Sequence, residues 1–94
     1  MRLAGGEIDL VLRDGETWVF VEVKSRQAGT AEAARAVTAD KRRRLGRAAA
    51  MWVARHGVPA GGCRFDVVTV GAPGPEPVIE HYRAAFETPQ RWGL

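Results

Sequence analysis

Ile8 to Leu12 is a short apolar run, and Thr17 to Val23 is a second one rich in β-branched and aromatic residues, with Arg13-Asp14-Gly15-Glu16 between them. Such residues fit a pleated, half-buried surface, and Asp-Gly between two runs of this kind suits a two-residue type I′ turn. The pattern predicts a β-hairpin. With Asp14 and Gly15 as the loop residues, Glu7 lies opposite Glu22 and Asp9 opposite Phe20. Ser25 to Val37 is small and polar, and reads as a mobile loop holding one short helical turn at Ala31 to Arg35. Thr38 is a good N-cap with Asp40 in the first turn, and Leu45, Ala48, Ala49, Trp52, Val53 and His56 follow at the spacing of one helical face. A helix from about 39 to 56 follows, ended by Gly57 and kept from continuing by Pro59. Beyond a Gly61-Gly62 loop, Arg64 to Val70 alternates as a strand does. Gly71 to Pro77 carries three prolines and two glycines as a turn, and Val78 to Arg83 reads as a last short strand. Ala84 to Leu94 is a tail with Phe86 and Trp92 as anchors.

The expected order is β-β-α-β-β, an α/β fold. A right-handed crossover through the helix sets the third strand parallel to its hairpin neighbour and gives a mixed sheet with helix cover. The 94 residues are enough for one domain spanning 1–94 and for one core. With 46% hydrophobic and 27% charged residues, disorder, collagen-like repeats and coiled coil fit poorly. Only one long helix is expected, which leaves one sheet face thinly covered, a gap for a missing segment or a partner to fill. The longest uncharged apolar run, Ala48 to Ala54, is seven residues, far short of the roughly 18 a membrane span requires. A lone Cys63 excludes an intramolecular disulfide and a cysteine-based zinc site, and Glu7 and Asp9 arrive too early for a signal peptide. The expectation is a soluble protein in a reducing, cytoplasmic setting.

Net charge is +3, from 14 basic and 11 acidic residues, and its distribution is more informative than its size. Lys41, Arg42, Arg43, Arg44, Arg47 and Arg55 crowd one stretch, whereas Glu7, Asp9 and Glu22 sit among apolar residues. Side chains two apart on a strand share a face, so Glu7, Asp9, Glu22 and Lys24 project from the same side of the hairpin. Like charges directly opposed in a sheet are destabilising, and stability alone would not choose this arrangement. Hard oxygen ligands on a rigid sheet suit Mg²⁺ or Mn²⁺, and a divalent cation would resolve the conflict. The bland alternative is a solvated edge strand on which Lys24 pairs with Glu22 or Glu7.

Gly5-Gly6-Glu7-Ile8-Asp9-Leu10, Val19-Phe20-Val21-Glu22-Val23-Lys24-Ser25-Arg26, Ala36-Val37-Thr38 with Lys41, and Arg64-Phe65-Asp66-Val67-Val68 closely resemble the YraN family. That is a bacterial group with a restriction-endonuclease-like fold of the PD-(D/E)XK type, similar to archaeal Holliday-junction resolvases. The resemblance runs from Gly5 to about Phe86. It implies that Asp9 is the first acid of the motif, Glu22 the second and Lys24 the lysine, with Ile8 in place of the motif's proline. Members usually begin with a helix carrying a further glutamate and a strand before the Gly-Gly-Glu segment, so this chain is expected to be N-terminally shortened. The implied chemistry is metal-dependent phosphodiester hydrolysis. Asp9, Glu22 and the Val23 carbonyl would hold one Mg²⁺ or Mn²⁺, with Glu7 auxiliary and Lys24 orienting or deprotonating the attacking water or neutralising the scissile phosphate.

Lys41 lies one turn before Leu45 and is expected to point toward the sheet, while Arg42, Arg43, Arg44 and Arg47 fan over other faces. Basic residues at a helix N-terminus oppose its dipole, which favours a phosphate contact for them over a merely solubilising role. Arg26, at the end of the Glu-Val-Lys strand, joins them as a candidate nucleic-acid contact. Trp18 and Trp52 read as core. His56 and His81 have no metal-ligand spacing and read as structural, and Cys63 as a small apolar residue. The expected protein is a nuclease-like domain that binds and cleaves DNA or branched nucleic acid as a homodimer. The alternatives are a non-catalytic nucleic-acid binder, which needs only the basic helix, and a protein-interaction domain, which needs neither helix nor carboxylates.

Overall fold

In a computed structural model, which describes residues 8–26, 36–71 and 78–87, the elements are β1 (Leu10–Asp14), β2 (Thr17–Arg26), α1 (Ala39–His56), β3 (Cys63–Gly71) and β4 (Val78–Phe86). The strands form one sheet in the order β1-β2-β3-β4, with β1 antiparallel to β2, β2 parallel to β3, and β3 antiparallel to β4. The expected α/β order and mixed sheet are present. A two-residue turn joins β1 to β2, whereas α1 carries the chain back so that β3 can start beside the start of β2.

α1 has the predicted bounds, and its ends show why. Thr38 takes an extended conformation and its Oγ1 accepts the Lys41 N–H at 3.1 Å. At the other end Gly57 adopts φ 100° and donates its N–H to the Val53 carbonyl at 2.7 Å. The inward face of α1 buries Leu45, Ala48, Ala49 and Val53 against a row of rings, with Phe20 stacked on Phe65 at 5.4 Å and Phe65 against Phe86 at 5.2 Å. Burying a ring of this size stabilises the fold by about 2–3 kcal/mol, so this row, one ring from each of β2, β3 and β4, is the centre of the core. Trp18 meets Trp52 edge-on at 5.6 Å, packed against the same cluster as expected.

The hairpin turn departs from expectation. Asp14 pairs with Thr17, so Gly15 and Glu16 are the loop residues, and Val11 rather than Asp9 sits opposite Phe20. Type I′ needs positive φ at both central positions; Gly15 has φ 61°, and Glu16 is not a positive-φ residue. Asp14 instead stays in the strand, where its Oδ2 accepts from Arg64 Nη1 at 3.0 Å. The register is thus displaced by two residues, and an even displacement leaves every side chain on its expected face.

The strand ends differ as well. β1 starts at Leu10, not Ile8; Ile8 makes an isolated bridge and is fully buried. β4 continues to Phe86, so Ala84 to Phe86 belong to the strand and not to a tail, while Phe86 is the anchor expected of it. A bulge makes the extension possible. Phe65 pairs with Phe86 but Val67 with Tyr82, and Ala84 takes φ 49° between them. The helical turn expected at Ala31 to Arg35, Glu7 and Trp92 lie outside the described residues. Among the described residues no helix is long and apolar enough to cross a membrane.

Candidate active site

β1 and β2 bring Asp9, Glu22 and Lys24 together. Asp9 lies in the bend just before β1, and its Oδ2 accepts the backbone N–H of Val23 at 2.9 Å. Leu10 pairs with Val21, so one step outward sets Asp9 level with Glu22. Glu22 shares the α1-facing side of β2 with Phe20, and its side chain is only 13% exposed. A half-buried carboxylate needs compensating charge, and Lys41 reaches in from the first turn of α1, Nζ 3.9 Å from Glu22 Oε2. Lys41 therefore points at the sheet, as its spacing predicts. Lys24, two residues beyond Glu22 on the same face, donates from Nζ to the Ala36 carbonyl.

Two carboxylates and a strand carbonyl form an all-oxygen donor set of the kind Mg²⁺ and Mn²⁺ accept. The Val23 N–H holds the Asp9 carboxylate at the strand end where Glu22 projects, which fits the expected roles of Asp9, Glu22 and Val23. Among the described residues no third His, Cys, Asp or Glu joins them in a metal-binding group. Glu7, the auxiliary carboxylate of the expectation, is outside those residues.

The same face continues across β3 and β4 in a way the sequence reading missed. Lys24 pairs with Thr69 and Thr69 with Glu80, so a lysine, a threonine and a glutamate make one row across three strands. Thr69 is fully buried, and Tyr82 donates its hydroxyl to Glu80 Oε2. Thr69 inside Val67-Val68-Thr69-Val70 was the available signal, because a hydroxyl in an otherwise apolar parallel strand marks a polar patch on one face.

The basic residues separate into three kinds. Arg43 and Arg44 share Asp40, at 2.6 and 3.2 Å, one turn apart on the exposed side of α1. The hydrogen bond from Arg43 and the charge of Arg44 hold the Asp40 carboxyl below its ordinary range. Arg42 turns back instead, donating from Nε to the Val37 carbonyl at 3.0 Å with its guanidinium 5.7 Å over the Phe86 ring. Arg47 is exposed, and Arg26 is the last residue of β2.

On the opposite face of the sheet Asp66 is fully buried. Arg64 grips it with Nε on Oδ1 at 2.9 Å and Nη2 on Oδ2 at 3.1 Å. The Ala84 N–H reaches Oδ1 at 2.9 Å, and His81 Nε2 lies 2.7 Å from Oδ2. Burial opposes ionisation of Asp66, but the hydrogen bonds from Arg64, Ala84 and His81 outweigh it and hold the carboxyl below its usual value. His81 is thus structural, as expected, and the Asp66 carboxylate is what fastens the β4 bulge. Cys63 is half-buried, and burial pushes its thiol up to about 11, in keeping with a small apolar residue. His56 stacks on Trp52 with ring centres 3.9 Å apart.

A family model described as "Uncharacterised protein family UPF0102" matches residues 1–70. A UPF0102 protein of Geobacter sulfurreducens is 47% identical over 88 residues, covering 92% of this chain and 69% of its own length. One from Nocardia farcinica is 48% identical over 83 residues, covering 86% and 65%, and one from Geobacter metallireducens is 46% identical over 87, covering 92% and 71%. The chain thus spans about two thirds of the length of these relatives.

Proposed function

The chain belongs to the UPF0102 family, which is the YraN family, and from that premise and its hairpin carboxylates we propose a metal-dependent nuclease-like domain of the PD-(D/E)XK type. Its substrates are phosphodiesters of DNA or branched nucleic acid, and it acts in the cytoplasm as a homodimer. The observation that carries this reading is the Asp9 carboxylate, pinned by the Val23 N–H beside Glu22 and two residues from Lys24. A strand edge has no structural need for two adjacent carboxylates, whereas a cation site does.

Asp9, Glu22 and the Val23 carbonyl would hold one Mg²⁺ or Mn²⁺, which when bound supplies an activated water and stabilises charge at phosphorus. Lys24 is the donor that neutralises charge building on the scissile phosphate or orients the attacking water. Lys41, with Nζ 3.9 Å from Glu22 Oε2, directs the Glu22 carboxylate at the site. Arg43, Arg44 and Arg47 contact backbone phosphates, and the exposed pairs with Asp40 are weak enough to be exchanged for them.

The test is a titration of Mg²⁺ and Mn²⁺ with linear and branched DNA, comparing wild type with Lys24→Ala. Metal-dependent cleavage lost in Lys24→Ala is the expected result. Salt-dependent DNA binding with no metal effect would replace the reading with a non-catalytic binder, and absence of binding with a protein-interaction domain.

A further inference from the structure

Lys41 stands where α1 meets the carboxylate pair. The Thr38 cap fixes its backbone N–H in the first turn of α1, and its side chain reaches down to β2, where Nζ lies 3.9 Å from Glu22 Oε2. At that distance the two form an ion pair and not a hydrogen bond. The Lys41 side chain is 29% exposed and that of Glu22 13%, so the ammonium keeps the greater share of solvent and the carboxylate the lesser. A partly solvated pair of this kind is weak and exchanges readily for a stronger partner.

Glu22 is wanted twice. It is one of the donors assigned to Mg²⁺ or Mn²⁺, and a doubly charged ion attracts a carboxylate about twice as strongly as an ammonium does at equal distance. Lys41 then faces a charge of its own sign and loses its hold on Glu22. Its four-carbon stem is flexible, and an ammonium released beside Glu22, on the same sheet face as Lys24, is a ready partner for a phosphate oxygen.

We propose that Lys41 is handed over between two anions: it pairs with Glu22 in the metal-free protein and passes to a substrate phosphate when a divalent cation takes Glu22. This rests on the reading of Asp9 and Glu22 as a cation site in a nucleic-acid enzyme, and adds that metal and nucleic acid bind cooperatively through one side chain. Displacing Lys41 opposes metal binding when nucleic acid is absent. The loss is recovered when a phosphate receives the ammonium, so each ligand raises the affinity of the other by the same factor.

Mn²⁺ titration calorimetry without nucleic acid, and fluorescence anisotropy with labelled branched DNA across a salt series in chelator and in saturating Mn²⁺, test the handover. The proteins are wild type, Lys41→Met and Lys41→Gln, which remove the charge on two different stems, and Lys41→Arg, which keeps it. The DNA measurements use a Lys24→Ala background so that binding is read without cleavage. Each neutral variant should bind Mn²⁺ about 5-fold more tightly or better, the low end of ordinary coupling between sites. In Mn²⁺ its log–log salt slope should be shallower by about 1, the value for one lost phosphate contact, whereas in chelator the slope should match that of the protein with Lys41. Lys41→Arg should behave as Lys41 does. Equal or weaker Mn²⁺ affinity in the neutral variants, a slope unchanged in Mn²⁺, or a slope equally shallower in chelator overturns the handover and leaves the nuclease reading standing. No Mn²⁺ binding by wild type overturns the cation site and the handover together.

Discussion

Asp9 and Asp66 are both carboxylates beside backbone N–H groups, yet they answer to different forces. Asp9 accepts from Val23 on the side of the sheet where Glu22 adds a like charge, so neutralising it relieves repulsion while an amide oxygen can still accept that bond. Asp9→Asn should therefore leave the metal-free protein within about 1 kcal/mol of wild type. It should also abolish any rise in melting temperature that Mg²⁺ or Mn²⁺ gives wild type, since binding to the folded state alone adds about 2.7 kcal/mol at a hundredfold excess over Kd. Thermal melts in chelator and in excess metal check both parts; a large loss in chelator would mean that Asp9 serves structure alone. Asp66 behaves oppositely. Asp66→Ala removes the buried carboxylate shared by Arg64, His81 and the Ala84 N–H, leaves Arg64 only its exposed tie to Asp14, and should cost about 3 kcal/mol at neutral pH. Because the folded-state carboxyl of Asp66 lies below its ordinary value, that contribution is complete above the unfolded value near 4 and is lost as pH falls through the folded one. Denaturant unfolding of wild type and Asp66→Ala should accordingly converge as pH is lowered below about 4.

The α1–β3 connection docks on the hairpin turn through backbone. Gly61 donates its N–H to the Glu16 carbonyl at 2.7 Å, and the Trp18 N–H reaches the Gly62 carbonyl at 3.1 Å. A Cβ at Gly61 would stand 2.8 Å from the Glu16 carbonyl oxygen and 2.6 Å from Thr17 Oγ1, so the turn must move to admit it. Gly61→Ala should lower stability by more than Gly15→Ala, which at φ 61° meets no atoms and carries only the penalty of about 1 kcal/mol for a left-handed backbone. Paired melting curves decide the order. How far the elements were legible follows from the same physics. α1 could be read to the residue because Thr38, the apolar face and Gly57 are local signals that agree. The hairpin existed in the pattern, but its turn did not, because Asp14 is claimed by Arg64, fifty residues away and invisible to a local motif. Asp9 and Glu22 were still assigned to the correct face, since the error was an even number of residues. The Asp66 network and the Lys24–Thr69–Glu80 row depend on pairing across three strands, which no single segment encodes.

At the scale of the molecule, Leu10, Leu12 and Val23 present 39–49% of their surface on the face away from α1, and β1 is an edge of the described sheet. An apolar edge strand invites pairing with another chain. Light scattering should show concentration-dependent association, and Leu12→Lys should shift it toward monomer; a monomer at every concentration for both proteins would remove self-association from the reading. The parallel pairing of β2 with β3 also sets a timetable for synthesis. Trp18 pairs with Cys63 and Arg26 with Gly71, so β2 cannot acquire its second neighbour until 45 further residues have been made. At translation speeds of about 5–20 residues per second the hairpin waits roughly 2–9 s. During that interval Val19 and Val21, both 2% exposed in the finished fold, have only β1 beside them. The nascent hairpin is then an amphipathic ribbon with a greasy side in water, the sort of segment that holding chaperones engage, and production in the cell is governed by how that interval is survived as much as by the stability of the final sheet.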